Sequence, residues 1–204
     1  MRFLFVCTGN ICRSAAAERF LAQRTAGTPV QVRSAGTRAV PGRRMHPYTE
    51  AALSRHGVDA DEFTSRRLTE DVLDWADVVL TMTAQHRQEA VTLNPRALRK
   101  SFTLLEAEAL LELVPPDQLE QAIASRDLAD LFNRGRSLAG ARFRRGDLDV
   151  VDPIDGPAAL HLDVVDIIVG ALSPLADVLD RGRVHDMTVR MYRLPPVPPP
   201  RRRR

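Results

Sequence analysis

The chain has little of several things. Its 204 residues include two cysteines, one tryptophan, two tyrosines and a single lysine, Lys100, against 28 arginines. Cys7 and Cys12, five residues apart, make no disulfide framework. No stretch reaches the roughly 18 consecutive apolar residues of a membrane helix. The first apolar run stops at Cys7 and leads into a helix-ready loop, so it does not read as a secretory signal. These deficits point to a reducing cytoplasm, where a reactive thiol stays available. The five histidines, His46, His56, His86, His161 and His185, share no metal-ligand spacing and read as surface or packing residues. There is no internal repeat. Charge of one sign is not in great excess either. The formal balance is +3, and without the four arginines at 201–204 it becomes −1. The basic isoelectric point is therefore partly a tail effect, and no nucleic-acid partner is expected. The preference for arginine over lysine reads mainly as genomic composition bias.

What is present suits one domain: apolar residues make up 44% of the chain, enough to fill a core. Residues 2–6 read as a buried strand and residues 14–26 as a helix stopped by Gly27. A second strand is expected at 30–34, a helix at 47–56 begun by Pro47 and ended by Gly57, and a helical stretch opened by Thr69. The run Val78-Val79-Leu80 marks a buried strand within 77–82. A helix at 84–93 and a short strand at 101–104 follow. Short buried strands alternating with helices argue for a doubly wound α/β fold with a parallel sheet. Ligands in such folds bind beyond the carboxyl ends of the strands. The remainder reads as broken helices over 105–131, an exposed loop with five arginines over 133–146, and a last helix at 160–179. Residues 194–204 are rich in proline and arginine and read as a disordered tail. We therefore divide the chain into a domain at 1–182, with an enlarged helical and arginine-rich insertion around 105–150, and that tail.

The chemistry concentrates between the first strand and the first helix, in Cys7-Thr8-Gly9-Asn10-Ile11-Cys12-Arg13-Ser14. Unpaired amides at a helix N-terminus can wrap an oxyanion. The same partial charge, with that of Arg13, favours the thiolate form of Cys7 and makes it a nucleophile. Ser14 is placed to donate a hydrogen bond to that sulfur. Arg13 can hold two phosphate oxygens at once, which a lysine cannot. Gly9 permits a tight turn, and the Asn10 side chain can hold the loop pre-formed. A cysteine followed six residues later by an arginine is a weak signal alone. The whole string between a strand and a helix is far more specific.

This string resembles the phosphate loop of the low-molecular-weight protein-tyrosine phosphatases. Ser34-Ala35-Gly36-Thr37, Ser65-Arg66-Arg67-Leu68 and Asp152-Pro153 resemble three further segments of that family, in the family's order. The resemblance implies a four-stranded parallel sheet flanked by helices, with no metal or cofactor. It also implies a hydrolase of phosphomonoesters that works through a phosphocysteine. Cys7 is then the nucleophile and Asp152 the general acid, and later the base for water. The amides of Thr8, Gly9, Asn10, Ile11, Cys12 and Arg13, with the Arg13 side chain and Ser14, form the phosphate site. Asp147, Asp149 and Asp155 are rivals of Asp152. For Cys12 the resemblance implies a protective disulfide with Cys7, with a small core residue as the equal alternative.

The chain departs from the family pattern at the pocket mouth. Ile154, Asp155 and Val40 stand where aromatic residues are usual, and Phe63 stands where a supporting histidine is usual. A phenyl ring would lose its stacking walls there. Arg134, Arg136, Arg142, Arg144 and Arg145 precede the candidate acid and are candidates for the pocket rim, although a solvated loop is the simpler reading. The expected substrate is a phosphorylated protein, with phosphotyrosine first. The alternatives are an arginine phosphatase, which favours threonine at the position of Ile11, a thiol-coupled arsenate reductase, and a non-catalytic phosphate-binding module. The tail suits an interaction partner.

Overall fold

The computed structural model describes residues 1–139 and 148–192. The expected tail, Arg142, Arg144, Arg145 and Asp147 lie outside the described residues. Four parallel strands, β1 (Arg2–Cys7), β2 (Gln31–Gly36), β3 (Val78–Thr81) and β4 (Ser101–Thr103), form one sheet in the order β2-β1-β3-β4. The expected parallel sheet flanked by helices is thus present. β1 is central because its side chains are apolar on both faces. Phe3, Phe5 and Cys7 enter one core layer, and Leu4 and Val6 enter the other. β2, at an edge, keeps Gln31 and Arg33 exposed. Its register with β1 places Gly36 beside Cys7.

The larger core layer holds α1 (Arg13–Arg24), α2 (Pro47–Ser54), α5 (Leu104–Leu111), α6 (Pro116–Ser125), α7 (Leu128–Ala139) and α8 (Ala158–Tyr192). The opposite layer packs Leu73 and Ala76 at α3 (Glu70–Trp75), and Ala90 of α4 (Ala84–Leu93), on Leu4, Val6 and Val79. Ala15, Ala16 and Ala17 have no exposed surface, so α1 lies close on the sheet. Thr69, Thr83 and Thr103 cap α3, α4 and α5 with their side chains. Thr103 and Glu106 form a reciprocal capping box.

Two boundaries differ from the sequence reading. Residues 133–139 are the end of α7, not a loop. Leu128, Leu131 and Phe132 bury one side of that helix, with Phe132 edge-on to Phe102 at 5.3 Å between ring centroids. Arg136 bonds Glu106 at 2.6 and 2.7 Å and lies over the Phe102 ring. It is therefore no part of the pocket rim. The last helix runs to Tyr192, well past the expected 179, and continues through Pro174.

The chain leaves β1 towards β2 on one side and reaches β3 on the other. The loops after β1 and β3 therefore diverge and open a crevice at the carboxyl ends of the strands. The distant segment 148–156 is tied into that crevice. Val150 donates to the Met82 carbonyl at 2.8 Å, and Asp149 accepts from the Ala84 amide at 2.7 Å.

Candidate active site

Asn10 is the hub of the loop that follows β1. Its φ of 53° is left-handed, a conformation asparagine tolerates better than most residues. Its amide nitrogen donates to the Cys7 Sγ at 3.3 Å. Its Nδ2 donates to Ser14 Oγ at 2.9 Å and to Ser34 Oγ at 2.6 Å, and its Oδ1 accepts from the Arg66 amide at 2.7 Å. These bonds fix the direction of the next ones. Ser14 accepts from Asn10, so its own hydrogen is directed to Cys7 Sγ, 2.9 Å away. Ser34 likewise donates to Glu18, which also accepts from Arg66 at 3.3 Å. The loop is therefore held through Asn10, Ser34 and Glu18, with Phe63 packed in the core where the family pattern has a histidine.

Gly36 permits this approach. A Cβ there would lie 2.4 Å from the Thr8 carbonyl oxygen and 2.9 Å from the Asn10 nitrogen. With no side chain in the way, the amides of Thr37 and Arg38 donate to the carbonyls of Cys7 and Thr8, both at 2.9 Å. The turn is thus bonded to β2 on one side and to the segment after Ser65 on the other.

A cavity of about 190 Å³ opens over the loop. Cys7, Thr8, Gly9, Ile11, Cys12 and Arg13 form its floor, and Arg43, Asp152 and Ile154 its walls. Arg13 is nearly buried, with 4% of its side chain exposed, and ion-pairs through Nη2 with Asp152, whose side chain is 44% exposed. Its Nη1 donates to the Val150 carbonyl at 3.0 Å. The structure thus brings Asp152 to the loop across 139 residues of chain. Of the rivals, Asp149 is engaged at the start of α4, and Asp155 is exposed and does not line the cavity.

Cys12 is buried, and burial pushes its thiol up to about 11, against a hydrogen bond from Thr49 and the charge of Arg13, which favour the thiolate. It is a neutral thiol at physiological pH. Cys7 and Cys12 are both free. Asn10 and Ser14 do not line the cavity; they act on it through hydrogen bonds.

Two residues of the site escaped the sequence reading. His86, read as surface or packing, is buried against the loop: its Nε2 pairs with Thr8 Oγ1 and its Nδ1 with Thr83 Oγ1, both at 2.8 Å. Burial, and then the charge of Arg13, lower its pKa to about 4, so the ring is neutral. The capping threonine three residues earlier is the only local hint of its orientation. Arg43 is the second. Its backbone exchanges bonds with Ser65, the Arg43 amide donating to Oγ at 3.0 Å and the Ser65 amide donating back at 2.8 Å. That anchors an exposed guanidinium at the cavity mouth, a position for which the sequence reading had offered only the later arginines, with a solvated loop preferred for them. Among the described residues no aromatic ring lines the cavity. Val40 is exposed and away from it, while Ile154 faces it.

Comparison with known proteins points to one family. The family model described as low molecular weight phosphotyrosine protein phosphatase matches residues 2–122. A protein-arginine-phosphatase of Bacillus subtilis is 41% identical over 109 residues, which are 52% of this chain and 71% of that protein. A probable low molecular weight protein-tyrosine-phosphatase, EpsP, of Ralstonia nicotianae is 33% identical over 132 residues, 65% of this chain and 88% of its own. The solution structure of a low molecular weight protein tyrosine phosphatase from Bacillus subtilis superposes with a TM-score of 0.63 at 31% identity. It covers 90% of this chain and 99% of its own. Among the described residues no helix is long and apolar enough to cross a membrane.

Proposed function

Because this chain belongs to the low molecular weight phosphotyrosine protein phosphatase family, we propose that its cavity hydrolyses phosphorylated protein side chains, phosphotyrosine first, with Cys7, Arg13 and Asp152 as the catalytic residues. The observation that carries this reading is the convergence of a cysteine sulfur, a buried arginine and a half-exposed carboxylate on one cavity.

Cys7 Sγ attacks phosphorus, and the bond to the leaving oxygen breaks as Asp152 donates its proton to that oxygen. The phosphoryl group, now on sulfur, keeps its three other oxygens among the amides of Thr8, Gly9, Ile11, Cys12 and Arg13 and the Arg13 guanidinium, while the Asn10 amide stays on the sulfur. Water, deprotonated by Asp152, then attacks phosphorus and releases Cys7 as thiolate. The Ser14 hydroxyl stabilises that thiolate at departure. The Arg13–Asp152 ion pair gives the cycle a natural order: an incoming phosphate competes for the guanidinium and frees Asp152 for proton transfer.

A second reading is favoured by a specific observation. Among the described residues no aromatic side chain walls the cavity for a phenyl ring, and the arginine-phosphatase relative shares 41% of aligned residues. Phosphoarginine is therefore the leading alternative substrate. Against it stands Ile11 on the cavity floor, where arginine phosphatases favour threonine. We take residues 1–182 as one catalytic domain, acting in a reducing cytoplasm that preserves Cys7.

The test is phosphate release from an aryl phosphate, then from a panel of phosphotyrosine, phosphoarginine and phosphoserine peptides. Wild type should turn over the aryl phosphate and prefer phosphotyrosine, and Cys7→Ser should be inert. A folded wild type without turnover would overturn the reading, and a preference for phosphoarginine would replace the substrate.

A further inference from the structure

Behind the cavity floor the fold assembles a set of donors that no sequence spacing announces. Cys12, at the start of α1, His46, just before α2, and His161, in the first turn of α8, each offer a ligand atom, and these atoms lie within 4.8 Å of one another. The two imidazoles stack, with centroids 4.4 Å apart and planes 16° from parallel. His161 has no exposed surface. Its Nδ1 pairs with Thr49 Oγ1 at 2.8 Å; the Pro153 carbonyl also acts on the ring, and Nε2 is buried with no hydrogen bond of normal geometry. An unsatisfied buried ring nitrogen is costly and asks for an explanation.

We infer that Cys12, His46 and His161 form a site for a borderline-soft divalent cation of the Zn²⁺ type, and that filling it reversibly inhibits the phosphatase. Thiolate with imidazole is a donor set for zinc and its neighbours rather than for magnesium or calcium. Three protein ligands leave a fourth position for water. The Thr49 hydroxyl, which bonds both His161 and Cys12, supplies the outer-shell contact that ligating side chains need. Binding exchanges a proton for the metal: Cys12–SH and M²⁺ give Cys12–S–M⁺ and H⁺.

The geometry also supplies the inhibition. A tetrahedral site with Zn–N near 2.0–2.1 Å and Zn–S near 2.3 Å needs donor separations of about 3.3–3.6 Å. The present spread of up to 4.8 Å must contract by about an ångström, and one imidazole must swing out of the stack so that both in-plane lone pairs face the ion. His46 is partly exposed and precedes its helix, so it can move. Cys12 is part of the phosphate loop, and the His46 amide donates to the Ile11 carbonyl at 2.8 Å. Drawing these groups together shifts the turn that presents the amides of Ile11, Cys12 and Arg13. A misplacement of about 1 Å in a catalytic site can cost about 100-fold in rate. The inhibitory half of the inference rests on the phosphatase reading above. The binding half does not.

The test uses the tag-free full chain and Co²⁺ as a spectroscopic stand-in for Zn²⁺. One equivalent of Co²⁺ should give a sulfur-to-cobalt charge-transfer band that Zn²⁺ bleaches. His46→Asn keeps an acceptor for the Tyr48 amide but removes a ligand, and should weaken binding by more than the ~10–100-fold that losing an outer-shell partner costs. His161→Asn should do the same, and His46→Asn remains decisive where the buried change unfolds the chain. In aryl phosphate hydrolysis, stoichiometric Zn²⁺ should inhibit wild type, a chelator should restore it, and His46→Asn should turn over and resist the metal. Absence of the band, or a band of equal strength in His46→Asn, overturns the site. Equal inhibition of His46→Asn shows the metal acting on Cys7 directly and overturns the regulation. Loss of turnover in metal-free wild type counts against the phosphatase reading alone, since the cobalt spectrum decides the site without it.

Discussion

The loop after β1 and the segment 150–156 meet at one cavity, but they are built differently. The loop is buried and over-determined: Asn10 alone makes four hydrogen bonds, and β2 supports its carbonyls from the side. The segment carrying Asp152 is half-exposed. Val150 anchors it through the Met82 carbonyl, and Asp152 itself holds Arg13 and accepts from the Ile154 amide at 3.3 Å. The difference matches two chemical tasks. Anion stabilisation needs dipoles fixed before the substrate arrives, because reorganising them during the reaction would cost what they give. Proton transfer needs a carboxylate that reaches solvent, leaving group and water in turn.

Substitutions can break this contrast at different depths. The largest effect is expected for Cys7→Ser, which removes the proposed nucleophile and should lower kcat by at least about 10⁴-fold in an aryl phosphate assay, as loss of a covalent nucleophile does elsewhere. Asp152→Ala should lower kcat by about 10²–10⁴-fold. Val150 and Asp149 hold the segment without the half-exposed Asp152, so the melting temperature should fall only slightly; a large loss of stability would show that the Arg13–Asp152 pair is structural. Gly36→Ala attacks the loop from outside, and its Cβ must displace the Thr8 carbonyl. It should cost about 1–3 kcal/mol in denaturant unfolding, typical of overpacking, and impair turnover as well. A wild-type-like variant would show that the loop is less constrained than its bonds suggest.

The smallest effect is a pH dependence that belongs to the loop side. His86 titrates at about 4 in the folded state, below its ordinary 6.5. The unfolded chain therefore binds more protons between these values. Stability from neutral His86 is full above about 6.5 and is lost as pH falls towards 4. His86→Asn should flatten that part of a stability-against-pH curve. An unchanged slope would mean that other groups set it.

Legibility in the sequence followed the same division. The loop could be read because its parts are neighbours: a strand, eight residues of turn chemistry and a helix. The apolar run of β1, the Thr69 cap and the helix at 84–93 were readable for the same reason, since backbone periodicity and capping are local. The boundary of α7 was misread because arginine and glycine suggested solvent, while Leu128, Leu131, Phe132 and the Arg136–Glu106 pair held the helix to Phe102. His86 and Arg43 were missed because a lone histidine or arginine has no sequence signature for a partner dozens of residues away.

The sequence by itself determined the alternation of strands and helices and the turn between β1 and α1 on which the proposed nucleophile, Cys7, stands. Each depends on side chains within one or two turns of each other, where covalent geometry limits the choices. Only the tertiary structure decided which aspartate meets Arg13, that His86 faces Thr8, that Arg43 stands at the mouth, and that Cys12, His46 and His161 converge. Those contacts join segments up to 149 residues apart, from Cys12 to His161, and they exist only once burial of the two core layers has fixed where each helix begins.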